Sequence, residues 1–165
     1  MVVTDNFGLL IAGLFRAPTQ DPKTIVLKNI AGANINVNVF DQDGGKLFNE
    51  NSPANGRGKV QVGKGFSPAT RQDVNIENPF PDSPESDRID ITFPAGYNFT
   101  SNKVTVATQI QPTGGAGAVT EVCYYMFIND NAGVSQTILI FRNILTVPVN
   151  FIVGQTINID SEVFI

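Results

Sequence analysis

The strongest constraint on this chain is an alternation of period two. Residues 33–40 read Ala-Asn-Ile-Asn-Val-Asn-Val-Phe. Ile35, Val37 and Val39 fall on one side, and Asn34, Asn36 and Asn38 on the other. Only an extended strand sends successive side chains to opposite faces, so the run predicts a strand with one dry face and one hydrogen-bonding face. Similar runs occupy Thr24–Lys28, Lys59–Val62, Asp73–Ile76, Ile89–Phe93, Lys103–Ile110 and Gln155–Ile165. Val119–Ile128 and Thr137–Phe141 are apolar on both faces, which predicts central strands joined as a hairpin across Asn129–Gly133. Val147–Ile152 carries Pro148, which limits it to an edge strand or a bend.

Turn formers separate these runs at Asp41–Gly45, Asn49–Gly58 and Pro112–Gly117. The chain holds 17 Asn, 13 Thr, 15 Gly and 10 Pro, residues that favour strands and turns over helices. With about nine short strands and no sustained helical period, the expected fold is all-β. The expected architecture is an antiparallel β-sandwich, jelly-roll-like or immunoglobulin-like. The length of 165 residues suits one domain, with residues 19–165 forming the sandwich.

Residues 1–18 precede it as an apolar arm or a first strand. The stretch Phe7–Phe15 is too short to span a bilayer, which takes ~20 residues. Asp5 stands where a signal peptide would carry Lys or Arg, so the expectation is a mature chain. Two outcomes are open for this stretch. It is a buried strand of the same domain, or it leaves the domain and packs on a neighbouring subunit.

Several function classes are excluded by composition. Without His there is no Ser-His-Asp or Cys-His catalysis and no histidine zinc site. A lone Cys, Cys123, forms no internal disulfide, and its apolar strand predicts a small buried hydrophobe. A net charge of −4 with scattered Lys and Arg lacks the basic footprint of a nucleic-acid binder. Asp41–Gly45 misses the calcium-loop spacing, since Gly45 stands where the fifth-position ligand belongs. Asn129-Asp-Asn131 offers oxygens to a cation but is equally a hairpin turn. Gly56–Lys59 and Gly114–Gly117 lack the phosphate-loop spacing and read as turns. Asn98-Phe-Thr100 fits a glycosylation sequon by chance. No cofactor, metal or membrane partner is implied.

Carboxylate chemistry would have to come from Asp73, Glu77, Glu85, Asp87 or Glu121. Sugar sites usually present aromatic platforms, and this chain has no Trp and three Tyr. Glu121 is better read as a strand-end ion-pair partner of Arg71, Arg88 or Arg142.

The second two thirds of the chain carries a recognisable order of motifs. Val62-Gly-Lys-Gly65-Phe-Ser-Pro-Ala-Thr-Arg-Gln-Asp73-Val-Asn-Ile-Glu77 comes first. Gly115-Ala-Gly-Ala-Val-Thr-Glu121-Val, Ile138-Leu-Ile-Phe-Arg142 and Gly154-Gln-Thr-Ile-Asn-Ile follow. Over residues 60–165 this order resembles accessory structural proteins of tailed bacteriophages and related viruses. It departs from them at Cys123-Tyr-Tyr-Met and in the loop from Pro79 to Pro84. The resemblance implies a non-enzymatic virion protein of the capsid surface, neck or tail, assembled in the host cytoplasm. Its partners would be copies of itself and other virion proteins, such as a major capsid or tail protein, without direct nucleic-acid contact.

Under that reading Phe7, Leu9, Leu10, Ile11, Leu14 and Phe15 of the arm are candidate interface residues. Phe66 and Phe80 of the Pro-rich middle join them, unless these rings plug the ends of the sandwich. A host-attachment or carbohydrate-binding β-sandwich is the alternative function.

Overall fold

The computed structural model describes residues 1–15, 24–38, 58–80, 90–92, 103–110 and 116–164. The described chain is mostly β, with antiparallel sheets and one short helix. Its elements in order are β1 (Val2–Val3), α1 (Asp5–Phe15), β2 (Thr24–Lys28), β3 (Asn34–Asn38) and β4 (Gly58–Gly63). Then come β5 (Asp90–Thr92), β6 (Lys103–Ile110), β7 (Gly117–Asn129), β8 (Ser135–Phe151) and β9 (Ile157–Phe164). They form a sheet ordered β1-β8-β7-β4, a β2-β3 hairpin and a sheet ordered β5-β6-β9.

The alternation in β3 behaves as its pattern requires: Ile35 and Val37 are buried while Asn34 and Asn36 face solvent. One core cluster gathers residues from every sheet, including Leu27, Val37, Val60, Ile110, Val122, Ile128, Ile138 and Ile157. Apolar burial of this kind is the main favourable term in folding. The β7–β8 hairpin is the spine. Its turn and the β2–β3 turn are built alike, and both place a glycine at positive φ, Gly133 at 76° and Gly32 at 78°. In each turn one side-chain oxygen collects two backbone N–H groups. Asn29 Oδ1 accepts from Ala31 and Ala33, and Asp130 Oδ1 accepts from Ala132 and Val134. Asp130 is therefore a turn residue, and these bonds, Val134 first and then Gln136, hold its carboxyl below the ordinary range.

Three expectations need correction. Residues 5–15 form neither a strand nor a free arm; they fold as α1 on their own chain. Phe7, Leu10, Ile11 and Leu14 recur at i, i+3, i+4 and i+7, a helical stripe interrupted by Gly8, Leu9 and Gly13. Leu10 is buried and Phe7 packs on Phe141, ring centroids 4.9 Å apart. Thr4 ties the helix start to the spine by donating to the Leu139 carbonyl at 2.7 Å. Asn6 bonds the backbone of Lys28 in both directions, as a strand residue would.

The second correction is at residues 73–76, which form no strand and belong to an irregular loop. Third, Val147–Phe151 is the end of β8 rather than a separate strand. The bend expected from Pro148 is nevertheless present. Between the pairs Val119↔Val149 and Glu121↔Ile144 the β8 side carries four residues against one, a wide bulge holding Leu145 to Pro148. The Asp41–Gly45 turn, Asn98-Phe-Thr100, Glu85, Asp87 and Arg88 lie outside the described residues.

Because α1 covers the core, Leu10→Ala is expected to cost about 2–5 kcal/mol in chemical denaturation. Removing residues 1–15 is expected to lower the melting temperature sharply. A truncated chain that melts with the full-length protein and loses only self-association would restore the arm reading.

Candidate functional site

Two faces of β7 diverge in chemistry. Val122, Tyr124 and Ile128 enter the main core. Glu121, Cys123 and Tyr125 point the other way, toward the loop that runs from Gly63 to Pro79. The loop closes on itself through a bridge between Gly63 and Pro79 and a bond from Lys64 N–H to the Asn78 carbonyl at 2.8 Å. It is a compact Ω-like loop lying on the sheet.

Arg142, opposite Cys123 on β8, holds it there. Its guanidinium donates from Nε to Glu121 Oε1 at 2.7 Å, from Nη1 to Asp73 Oδ2 at 2.7 Å and from Nη2 to Glu77 Oε2 at 2.9 Å. Three carboxylates thus surround one planar cation, a geometry that Arg supplies and Lys does not. The cluster grades from dry to wet, with side-chain exposures of 0% for Glu121, 4% for Arg142, 19% for Asp73 and 38% for Glu77.

Three carboxylates against one guanidinium leave an excess of negative charge, which backbone N–H groups absorb. Glu121 accepts from Glu77 N–H at 2.9 Å, Gly65 N–H at 3.2 Å and Asn78 N–H at 3.3 Å. Glu77 accepts from Ser67 N–H and Oγ, and Asp73 from Thr70 N–H and Oγ1. Tyr125 completes the attachment by donating to Asn75 Oδ1 and accepting from Ile76 N–H. Among the described residues no buried side-chain nitrogen or oxygen lacks a hydrogen-bond partner.

Gly65 is required by this packing. A Cβ there would sit 2.4 Å from Glu121 Oε2 and 2.7 Å from Glu77 Oε2, inside the contact limit for any side chain.

The titration behaviour follows from the contacts. Partial burial alone would raise the Asp73 carboxyl, but bonds from Arg142 and Thr70 outweigh it and hold it low. Ser67 holds the Glu77 carboxyl low, with help from Arg142. Burial would lower the Arg142 guanidinium, yet its bonds to Asp73 and Glu121 raise it, so it stays charged. Burial, reinforced by the Glu121 carboxylate, pushes the Cys123 thiol far up; the thiol remains protonated and donates toward Glu121 at 3.8 Å. Burial also raises the Tyr125 phenol. The arrangement can hold a loop in place; it offers no activated nucleophile.

Of the five carboxylates considered from sequence, the fold brings together Asp73, Glu77 and Glu121. Of the possible partners of Glu121, Arg142 is in contact with it, Arg71 pairs with Asp5 of α1 at 2.9 Å, and Arg88 lies outside the described residues. No group of acidic or thiol side chains suited to a metal ion occurs among the described residues. No described helix is long and apolar enough to cross a membrane. Phe80 is half-buried in an edge-to-face contact with Phe151 at 5.3 Å, whereas Phe66 stands 72% exposed. Leu9 is exposed and Ile11 half-buried, and the side chains of Leu14 and Phe15 lie outside the described set. No family model, curated protein or solved structure matches this chain.

Removing the cation should leave the carboxylates uncompensated, so Arg142→Met is expected to cost about 3–5 kcal/mol in urea denaturation. Arg142→Lys should rescue only part of that, because one ammonium cannot span three carboxylates. The depressed pKa values of Asp73 and Glu77 give a signed pH dependence. Their contribution is full above the unfolded carboxylate value near 4 and is lost as pH falls through the lower folded values. Stability should therefore begin to fall below about pH 5 and go on falling as pH drops through the lowered folded values, with a shallower slope in Asp73→Asn/Glu77→Gln.

Proposed function

We propose that this chain is a non-enzymatic structural protein of a virion, a capsid-decorating or neck- or tail-associated subunit that acts by homo-oligomeric assembly. Its three antiparallel sheets would close as a jelly-roll-like or immunoglobulin-like sandwich. The observation that carries this reading is the saturation of the polar cluster. Every carboxylate of that cluster is engaged by Arg142, and each also accepts from backbone N–H groups. A general acid or base needs a lone pair or proton that faces a substrate. Glu121 is fully buried, Asp73 mostly so, and both carboxylate oxygens of the more exposed Glu77 are engaged by Ser67 and Arg142.

The residues that carry the resemblance to phage accessory proteins support the same reading. Gly65, Asp73, Glu77, Glu121 and Arg142 come from distant parts of the sequence and meet in one staple. A motif of this kind fixes a shape rather than a reaction. The staple also presents Phe66 between Gly65 and Ser67, whose N–H groups are both held by the cluster. An exposed ring on a held backbone is an anchor for a protein surface, since little loop freedom is lost on docking. The partner of Phe66 under this reading is another virion protein.

Purified particles provide the test. The protein is expected in them at fixed stoichiometry, and Phe66→Ala should reduce its incorporation while shifting stability by less than about 0.5 kcal/mol. Absence from particles, together with binding of a soluble chain to a glycan array, would replace this reading with the attachment-module one.

A further inference from the structure

Far along β8 from the caged arginine, the surface changes character. From Asn143 to Ile159 the sequence holds no charged residue. The stretch Val104–Thr120, which leads into β7 beside it, holds none either. Four aliphatic side chains are exposed here: Val147 at 75%, Ile152 at 67%, Val153 at 58% and Val149 at 43%. Neutral hydrogen-bonding residues accompany them, with Thr146, Asn150, Gln155 and Thr156 all exposed. An apolar centre with charge depleted and neutral polar groups around it has the composition of an interface core.

The local geometry says how such a surface could be covered. Among the described residues β1 pairs with β8 only at Phe141 and Arg142, so the ladder on that side stops before the uncharged stretch. Pro148 has no N–H to offer, and the bulge from Leu145 to Pro148 breaks the regular edge. Strand addition is therefore disfavoured, and side-chain packing is the remaining mode. The bulge carries Val147 outward as a knob. Beside it lies an open cleft of about 190 Å³ lined by Val119, Val122, Leu145, Val149, Ile157 and Ile159, with Asn158 also on its wall.

We propose that this end of β8 is a two-fold interface with a second copy of the chain, in which Val147 of each copy enters the cleft of the other. Knob and cleft share one surface, so a two-fold axis between them would set each knob against the other copy's cleft, the pattern of an isologous contact. Charge selects the same occupant. The chain is net −4, so copies repel over much of their surface. In a two-fold contact a charge close to the axis faces its own sign, and a patch free of charge avoids that penalty. The inference deepens the homo-oligomeric part of the proposed function and rests on it.

Sedimentation velocity of the full chain over a concentration series tests it. Wild type is expected to form a dimer or a multiple of one. Val147→Asp/Ile152→Asp should weaken self-association by about 100-fold or more, with an unchanged melting transition at the monomer level. Phe66→Asp, on the stapled loop, should leave self-association intact. Mixing Val147→Cys with Asn158→Cys protein under mild oxidation should give a covalent dimer, while a Val134→Cys control should not; this reading does not depend on the double variant folding. Oligomers that persist in the double variant, or no cross-link, would overturn this interface and leave the particle assignment standing. A wild type that stays monomeric at every concentration would overturn the interface together with the homo-oligomeric part of the proposed function, and the particle inventory would still judge the virion assignment separately.

Discussion

A single buried guanidinium organises the back face of this protein. Arg142 is 4% exposed in its side chain and touches three carboxylates, one of them fully buried. A desolvated charge of this kind is costly on its own, so its partners must be complete for the fold to be stable. They are complete because the loop from Gly63 to Pro79 supplies two of the carboxylates and the N–H groups that quiet the third. Loop and sheet are therefore mutually dependent. Without the loop, Glu121 and Arg142 would lie half-satisfied on an open face; without them, the loop has little apolar burial beyond Ile76 to hold it.

That dependence explains why an irregular segment can serve as a rigid surface. Surface loops are ordinarily the mobile part of a domain because few buried contacts hold them. This one is anchored near both ends and in the middle. It links the spine to α1 as well, since the Asp5 N–H bonds the Arg71 carbonyl and Arg71 pairs with the Asp5 carboxylate. The helix, the loop and the β7–β8 hairpin thus share one hydrogen-bonded frame, with Phe66 carried on the loop's outer side.

Much of the β framework was legible in the sequence. β2, β3, β4, β6 and β9 appear where period-two runs stand, and the Asp130 turn appears where the Asn129–Gly133 hairpin was expected. α1 was hidden because Gly8, Leu9 and Gly13 interrupt its stripe, and a short apolar run is ambiguous between strand and helix. The spacing of Phe7, Leu10, Ile11 and Leu14, with Thr4 ahead and Asp5 in the first turn, was the signal that could have found it. Asp73–Ile76 was misread because its apolar residues serve a loop: Ile76 is buried by Tyr125 and Leu139, and Asp73 is spent on Arg142. Arg142 stood among three candidate partners for Glu121, and no local pattern could choose between them. The choice is made by the register that sets Cys123 opposite Arg142, a long-range fact of pairing.

Native-state hydrogen exchange of the unmodified protein tests the staple most directly. The amides of Gly65, Ser67, Glu77 and Asn78 lie in irregular backbone yet bond to buried or caged carboxylates. They should exchange as slowly as amides in the centre of β7, opening only with the whole molecule. Fast exchange at these four amides, at rates typical of an exposed surface loop, would contradict the claim that Arg142 and its carboxylates hold the loop as part of the core.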